Sequence, residues 1–139
     1  MKKIDHIFVN NYRIYYEDTD AGGIVYYANY LKLFERARSD FLRSKNIIQS
    51  QIADLTKIIF VVRKCEIEYI LPARLDDLIA VTIEAIEIRG PFILMKQKIL
   101  KDQKLISNLE INLTAINNET FKPVRIPPNL SKKILGKIK

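Results

Sequence analysis

Between residues 15 and 30 the chain reads YYEDTDAGGIVYYANY, which brings acids, paired glycines and tyrosines together just ahead of an amphipathic pattern. An aspartate with an ordinary pKa near 3.9 is ionised at neutral pH, so Asp20 can act as a nucleophile or a general base without a cofactor. The first N–H groups of a helix lack internal partners, and the aligned peptide dipoles add about half a positive charge there. Such an end can receive the negative oxygen that forms when a carbonyl is attacked, and each preorganised N–H donor can lower that barrier by about 3 to 4 kcal/mol. Gly22 and Gly23 allow the backbone to approach a substrate closely. The plain structural alternative is that Asp18, Thr19 or Asp20 caps the helix while Gly22 and Gly23 make the turn.

Few other residues compete for a chemical role. His6 is the single histidine, so a metal site or a Ser-His-Asp triad would each have to be built around it, and it reads as an ordinary surface or edge residue. Cys65, the single cysteine, sits in a strand-like segment and reads as packing. One cysteine permits no internal disulfide and points to the cytoplasm.

The elements that must position Asp20 follow from periodicity. Alternation over about residues 8–17 suggests a first strand. From Ile24 to about Lys45, Tyr27, Tyr30, Leu31, Phe34, Ala37, Phe41 and Leu42 recur at three- and four-residue steps, which predicts a long amphipathic helix. A weaker helical stretch runs from about Ile48 to Leu55. Ile58–Ile70, Leu78–Ile88, Phe92–Leu100 and Leu105–Ile116 are β-branched and alternating, with turns at Arg89-Gly90-Pro91 and Lys101–Lys104. After Pro127-Pro128, Leu130, Ile134, Leu135 and Ile138 line one face of a short helical tail. One strand, one long helix and then four strands predict an α+β chain rather than an alternating parallel sheet. A curved antiparallel sheet of about five strands wrapped around one long central helix, the hot-dog arrangement, lets each strand cover the helix's apolar stripe.

With 139 residues, 48% hydrophobic and 28% charged, the chain is sized for a single domain spanning 1–139. Its N-terminal mix of charged and apolar residues is no signal peptide, and its apolar runs are far short of a membrane span. The net charge of +7 suits an anionic small ligand or a nucleic-acid surface, but the lysines are spread along the chain rather than gathered on one face. That spread argues against nucleic acid.

The segment YYEDTDAGGIVYYANYLKLFERAR (15–38) resembles the signature of the 4-hydroxybenzoyl-CoA thioesterase-like family, in particular its Tol-Pal-associated (YbgC-type) acyl-CoA thioesterases. The resemblance continues through YILPARLDD (69–77) and KPVRIP (122–127). It implies a hydrolase that converts acyl-CoA to free acid and coenzyme A, with Asp20 in the place of the catalytic carboxylate and Tyr16 in that of an active-site tyrosine. Tyr27 stands where many relatives carry histidine; its backbone N–H is expected to polarise the carbonyl, while imidazole assistance is lost. Gly22, Gly23, Ile24 and Val25 fall in the substrate-binding loop. Arg89, Lys122 and Arg125 correspond to regions that approach the nucleotide, at a subunit boundary, where arginine suits phosphate oxygens. Direct attack through an acyl-aspartyl anhydride and activation of a water both remain open. The resemblance also implies association through the sheets as dimers or tetramers, acyl carrier protein as a further partner, and no metal or separate cofactor. A non-catalytic hot-dog module that binds acyl-CoA or acyl carrier protein is the competing reading.

Overall fold

The computed structural model describes residues 2–136, with side chains from residue 8 onward. Five strands, β1 (Lys2–Arg13), β2 (Ile58–Tyr69), β3 (Leu78–Arg89), β4 (Phe92–Lys101) and β5 (Lys104–Asn117), form one antiparallel sheet in the order β1-β3-β4-β5-β2. Three helices accompany them: α1 (Asn29–Ser44), α2 (Gln49–Thr56) and α3 (Pro128–Leu135). The β4–β5 hairpin turns through Asp102 and Gln103, both at positive φ (49° and 66°). That is the pair of left-handed residues a two-residue hairpin with a type I′ turn requires.

Helix α1 packs on β1, β3 and β4. Its buried residues Tyr30, Phe34, Ala37, Phe41 and Leu42 belong to the stripe expected from the sequence, whereas Leu33 is buried in place of the expected Leu31, which is exposed. They meet Ile79, Val81, Ile83 and Ile86 of β3 and Ile93, Met95 and Ile99 of β4 in one core. A polar bridge crosses it: buried Gln97 accepts from Arg38 Nη1 at 2.9 Å and donates to Phe34 O at 3.1 Å. Burial holds the Arg38 pKa below its ordinary value, and the hydrogen bond from this largely buried guanidinium to the Gln97 amide oxygen ties helix to sheet.

Two boundaries differ from the periodicity. The first strand ends at Arg13 rather than near residue 17, because Ile14 leaves the ladder to pair with the loop before β3 (Ile14 N to Asp77 O, 2.8 Å; Asp76 N to Ile14 O, 3.0 Å). Tyr16–Asp18 then forms a single 3-10 turn. The long helix begins at Asn29, not Ile24, because Ile24 and Val25 are extended and bridge Arg74 and Thr19. Tyr27, counted in the apolar stripe, is 60% exposed. The weaker helix (α2) and the tail helix (α3) both form, and Leu130 and Ile134 are buried; Ile138 lies outside the described residues. His6 falls within β1, but its side chain is outside the described set. Cys65 is half-buried on β2, and burial raises its thiol pKa despite the opposing Arg38 charge.

Candidate active site

The loop that precedes α1 is held by its own backbone. Asp20 N donates to Ile24 O (2.9 Å) and Gly23 N to Asp20 O (3.0 Å), closing a tight turn in which Gly23 takes φ 80°. The Asp20 carboxylate accepts from Gly22 N at 2.8 Å. A Cβ on Gly22 would lie 3.3 Å from Asp20 Oδ1, so a bare backbone is what lets the carboxylate fold over the turn. Val25 N donates to Ala73 O (2.9 Å) and Leu75 N to Gly23 O (3.2 Å), which fastens the loop to the segment before β3.

This placement corrects the expectation that Asp20-Ala-Gly-Gly opens the helix. Residues 21–28 intervene, and neither Asp18, Thr19 nor Asp20 caps α1, whose N-cap is Ala28 with no side-chain bond. Asp18 instead binds Tyr15 N through its carboxylate (2.9 Å), and its carbonyl accepts from Asn29 Nδ2 (2.9 Å) and Tyr26 N (3.0 Å). At the helix start, Asn29, Tyr30 and Leu31 donate to Tyr26, Tyr27 and Ala28 carbonyls, the last two at a long 3.3 Å. The N–H groups of Tyr27 and Ala28, just before them, carry no hydrogen bond among the described residues. They are free donors at the electropositive end of α1.

Around these donors stands a group of tyrosines. Tyr27 lies 5.0 Å from Tyr26 and 6.1 Å from Tyr69, and Tyr69 lies 5.4 Å from Tyr30, as ring centroids. Tyr30 is buried and accepts from Ala73 N at 3.1 Å. Burial raises the pKa of both Tyr30 and Tyr69, so these phenols stay neutral at physiological pH. Tyr16 is 80% exposed, as are, to lesser degrees, Tyr15, Tyr26, Ile70 and Leu71. Asp20 is exposed, Ile24 half-buried, and Val25 turns its side chain into the core beneath the loop. Tyr69 and Tyr30 received no role from the sequence; their positions in a strand end and a helix stripe carried no signal that they meet Tyr27.

The basic residues lie elsewhere in the chain. Arg89 ends β3 and is paired with Glu87 (2.6 Å). Lys122 and Arg125 are exposed after β5, and Lys122 O accepts from Asn117 N, the residue opposite Ile58 at the start of β2. Tyr69, which touches Tyr27, ends β2. At about 3.3 Å per residue, roughly 35 Å of strand separates the two regions. One chain therefore does not bring Asp20 together with Arg89, Lys122 and Arg125.

The curved antiparallel sheet, its central helix and the glycine-paired loop ahead of that helix define the hot-dog class of thioesterase folds. Residues 15–134 match the thioesterase-like superfamily. The chain is 39% identical over 124 residues (89% of this chain, 91% of the relative) to an acyl-CoA thioesterase YbgC of Haemophilus influenzae. It is 34% identical over 136 residues to its counterpart in Helicobacter pylori (91% of this chain, 98% of the relative). Among solved structures, a probable thioesterase from Bartonella henselae superposes with a TM-score of 0.81 at 35% identity, covering 86% of this chain and 98% of that one. A 1,4-dihydroxy-2-naphthoyl-CoA thioesterase from Synechocystis shares the fold with a TM-score of 0.86 at 19% identity, covering 93% and 96%. The chain belongs to the thioesterase-like superfamily.

Proposed function

We propose that the chain, acting as one domain, hydrolyses acyl-CoA to free acid and coenzyme A, with Asp20 as nucleophile or general base. Homology to YbgC acyl-CoA thioesterases supports the reaction class. The observation that carries the residue assignment is the conjunction, in one loop, of the Asp20 carboxylate folded on Gly22 N with the unbonded N–H groups of Tyr27 and Ala28. A carboxylate supplies the attack or activates the water, and free donors receive the oxyanion. Tyr27 serves through its backbone, Tyr16 and the tyrosine group line the approach, and Gly22, Gly23 and Ile24 form the substrate's floor over Val25.

The reading includes a homo-oligomer. β2 is a long edge strand, and Val61, Val62, Tyr69, Ile70 and Leu71 are exposed along and beyond it. Unpaired edges of this kind are surfaces for pairing. Two copies joined antiparallel through β2 about a two-fold axis would set the Lys122 end of one beside the Tyr69 end of the other. Arg89, Lys122 and Arg125 would then approach the phosphates of a thioester held at the other copy's Asp20. Among the described residues no helix is long and apolar enough to cross a membrane, and we place the protein in the cytoplasm with acyl-CoA and acyl carrier protein as its acyl donors.

The test is a hydrolysis screen over short, long and aromatic acyl-CoA esters, with free thiol detected, for wild type and Asp20→Asn in parallel. Turnover should drop about 10²- to 10⁴-fold in the variant with the fold retained. An unchanged kcat removes the mechanism; binding without turnover in the wild type selects the non-catalytic module.

A further inference from the structure

The loop after β5 exposes a ring that burial does not account for. Phe121 takes φ 60°, the left-handed region where bulky residues are strained, and is 69% exposed. The loop holding it is closely bonded. Phe121 N donates to Asn117 O (2.8 Å) and Asn117 N to Lys122 O (2.9 Å). Asn117 Oδ1 accepts from Glu119 N (2.8 Å) and Thr120 N (3.0 Å). Asn118 N reaches Lys57 O at 2.7 Å, so Lys57, itself at φ 62°, is fastened to the same loop. Lys57, Lys122 and Arg125 are all exposed, and Glu119 is the single acid between residues 117 and 126.

We infer that Phe121 is a stacking platform for the adenine ring of coenzyme A, with Lys57, Lys122 and Arg125 receiving its phosphates. The inference rests on the acyl-CoA reading above and adds to it an aromatic residue and a lysine. A planar π face on a loop that also carries Lys122 and Arg125 complements a purine joined to phosphates. One ring is far too small a patch to hold a second protein. Its fixed backbone also lowers the ordering cost of binding, which gives the strained conformation a purpose.

Calorimetric affinities for coenzyme A and for 4′-phosphopantetheine, which lacks the adenine nucleotide, test this with Phe121→Leu, Phe121→Gly and Phe121→Tyr. Removing the π face should weaken coenzyme A about tenfold, the order of one stacked base, while Phe121→Tyr stays within about twofold. Phosphopantetheine affinity should move less than about twofold in all three. Phe121→Gly, freed of left-handed strain, should also raise Tm, which a purely structural ring would not allow. Wild-type affinity in Phe121→Leu, equal losses for both ligands, or a changed oligomeric mass overturns the platform. Hydrolysis of acyl-CoA with a Phe121-independent affinity sinks the platform alone. Phe121-dependent binding in a protein that cleaves no thioester sinks the hydrolase reading alone.

Discussion

Asp20 works, in the proposed mechanism, from a carboxylate held by a single hydrogen bond within its own turn, and Gly22 supplies that bond. An alanine there meets no obstacle except Asp20 Oδ1 at 3.3 Å. Gly22→Ala should therefore leave Tm nearly unchanged while shifting the carboxylate by a few tenths of an ångström. Misplacement of a reacting group on that scale costs rate steeply, so kcat should fall about tenfold. Steady-state kinetics beside a thermal melt checks this; a large loss of Tm would show that the glycine is there for the fold instead. Gly23 differs, since at φ 80° any side chain strains the backbone itself.

At the scale of elements, the loop between β2 and β3 supports the site from behind. Asp77 sits at its end, accepting from Arg74 N at 2.8 Å and pairing with Lys101 of β4 at 2.8 Å. Burial alone would raise its pKa, but the Lys101 and Arg74 hydrogen bonds and charges outweigh it and hold the carboxyl below the usual range. A carboxylate with a depressed folded pKa adds stability above its unfolded value near 3.9, and that stability fades as pH falls through the folded value. Asp77→Asn should destabilise by about 1 kcal/mol at pH 7, a modest figure because Lys101 is partly exposed and screened. The difference from wild type should begin to shrink below about pH 4, as the unfolded chain takes up its proton, and should close once pH has fallen past the depressed folded value. Urea titrations at pH 7 and pH 3 measure it, and a gap that stays constant contradicts the ion-pair account.

For the whole molecule, the separation between Asp20 and the basic segments along β2 makes assembly part of the proposed chemistry. Light scattering at micromolar concentration should report a dimer or a tetramer, and a monomer contradicts the shared site. Dilution that dissociates the oligomer should lower specific activity in parallel, since mass action governs the population of complete sites. Activity that persists in isolated chains would mean that one copy binds its substrate unaided.

The fold was legible in the sequence, and so was the acid-glycine turn that carries Asp20, because both rest on local signals. The 3.6-residue stripe of α1, the alternation of β2 to β5 and the acid-glycine turn are written in near neighbours, and so is the family resemblance of residues 15–38. The exact start of α1 was not, because tertiary bridges from Ile24 and Val25 to Arg74 and Thr19 outcompete a helical pattern that propensity alone would extend. Nor could spacing show that Tyr69 and Tyr30 meet Tyr27, that Gln97 spans Arg38 and Phe34 O, or that Phe121 is thrust outward. Those are meetings of residues far apart in the chain or backbone angles set by a closed loop, and only the packed sheet and helix bring them about.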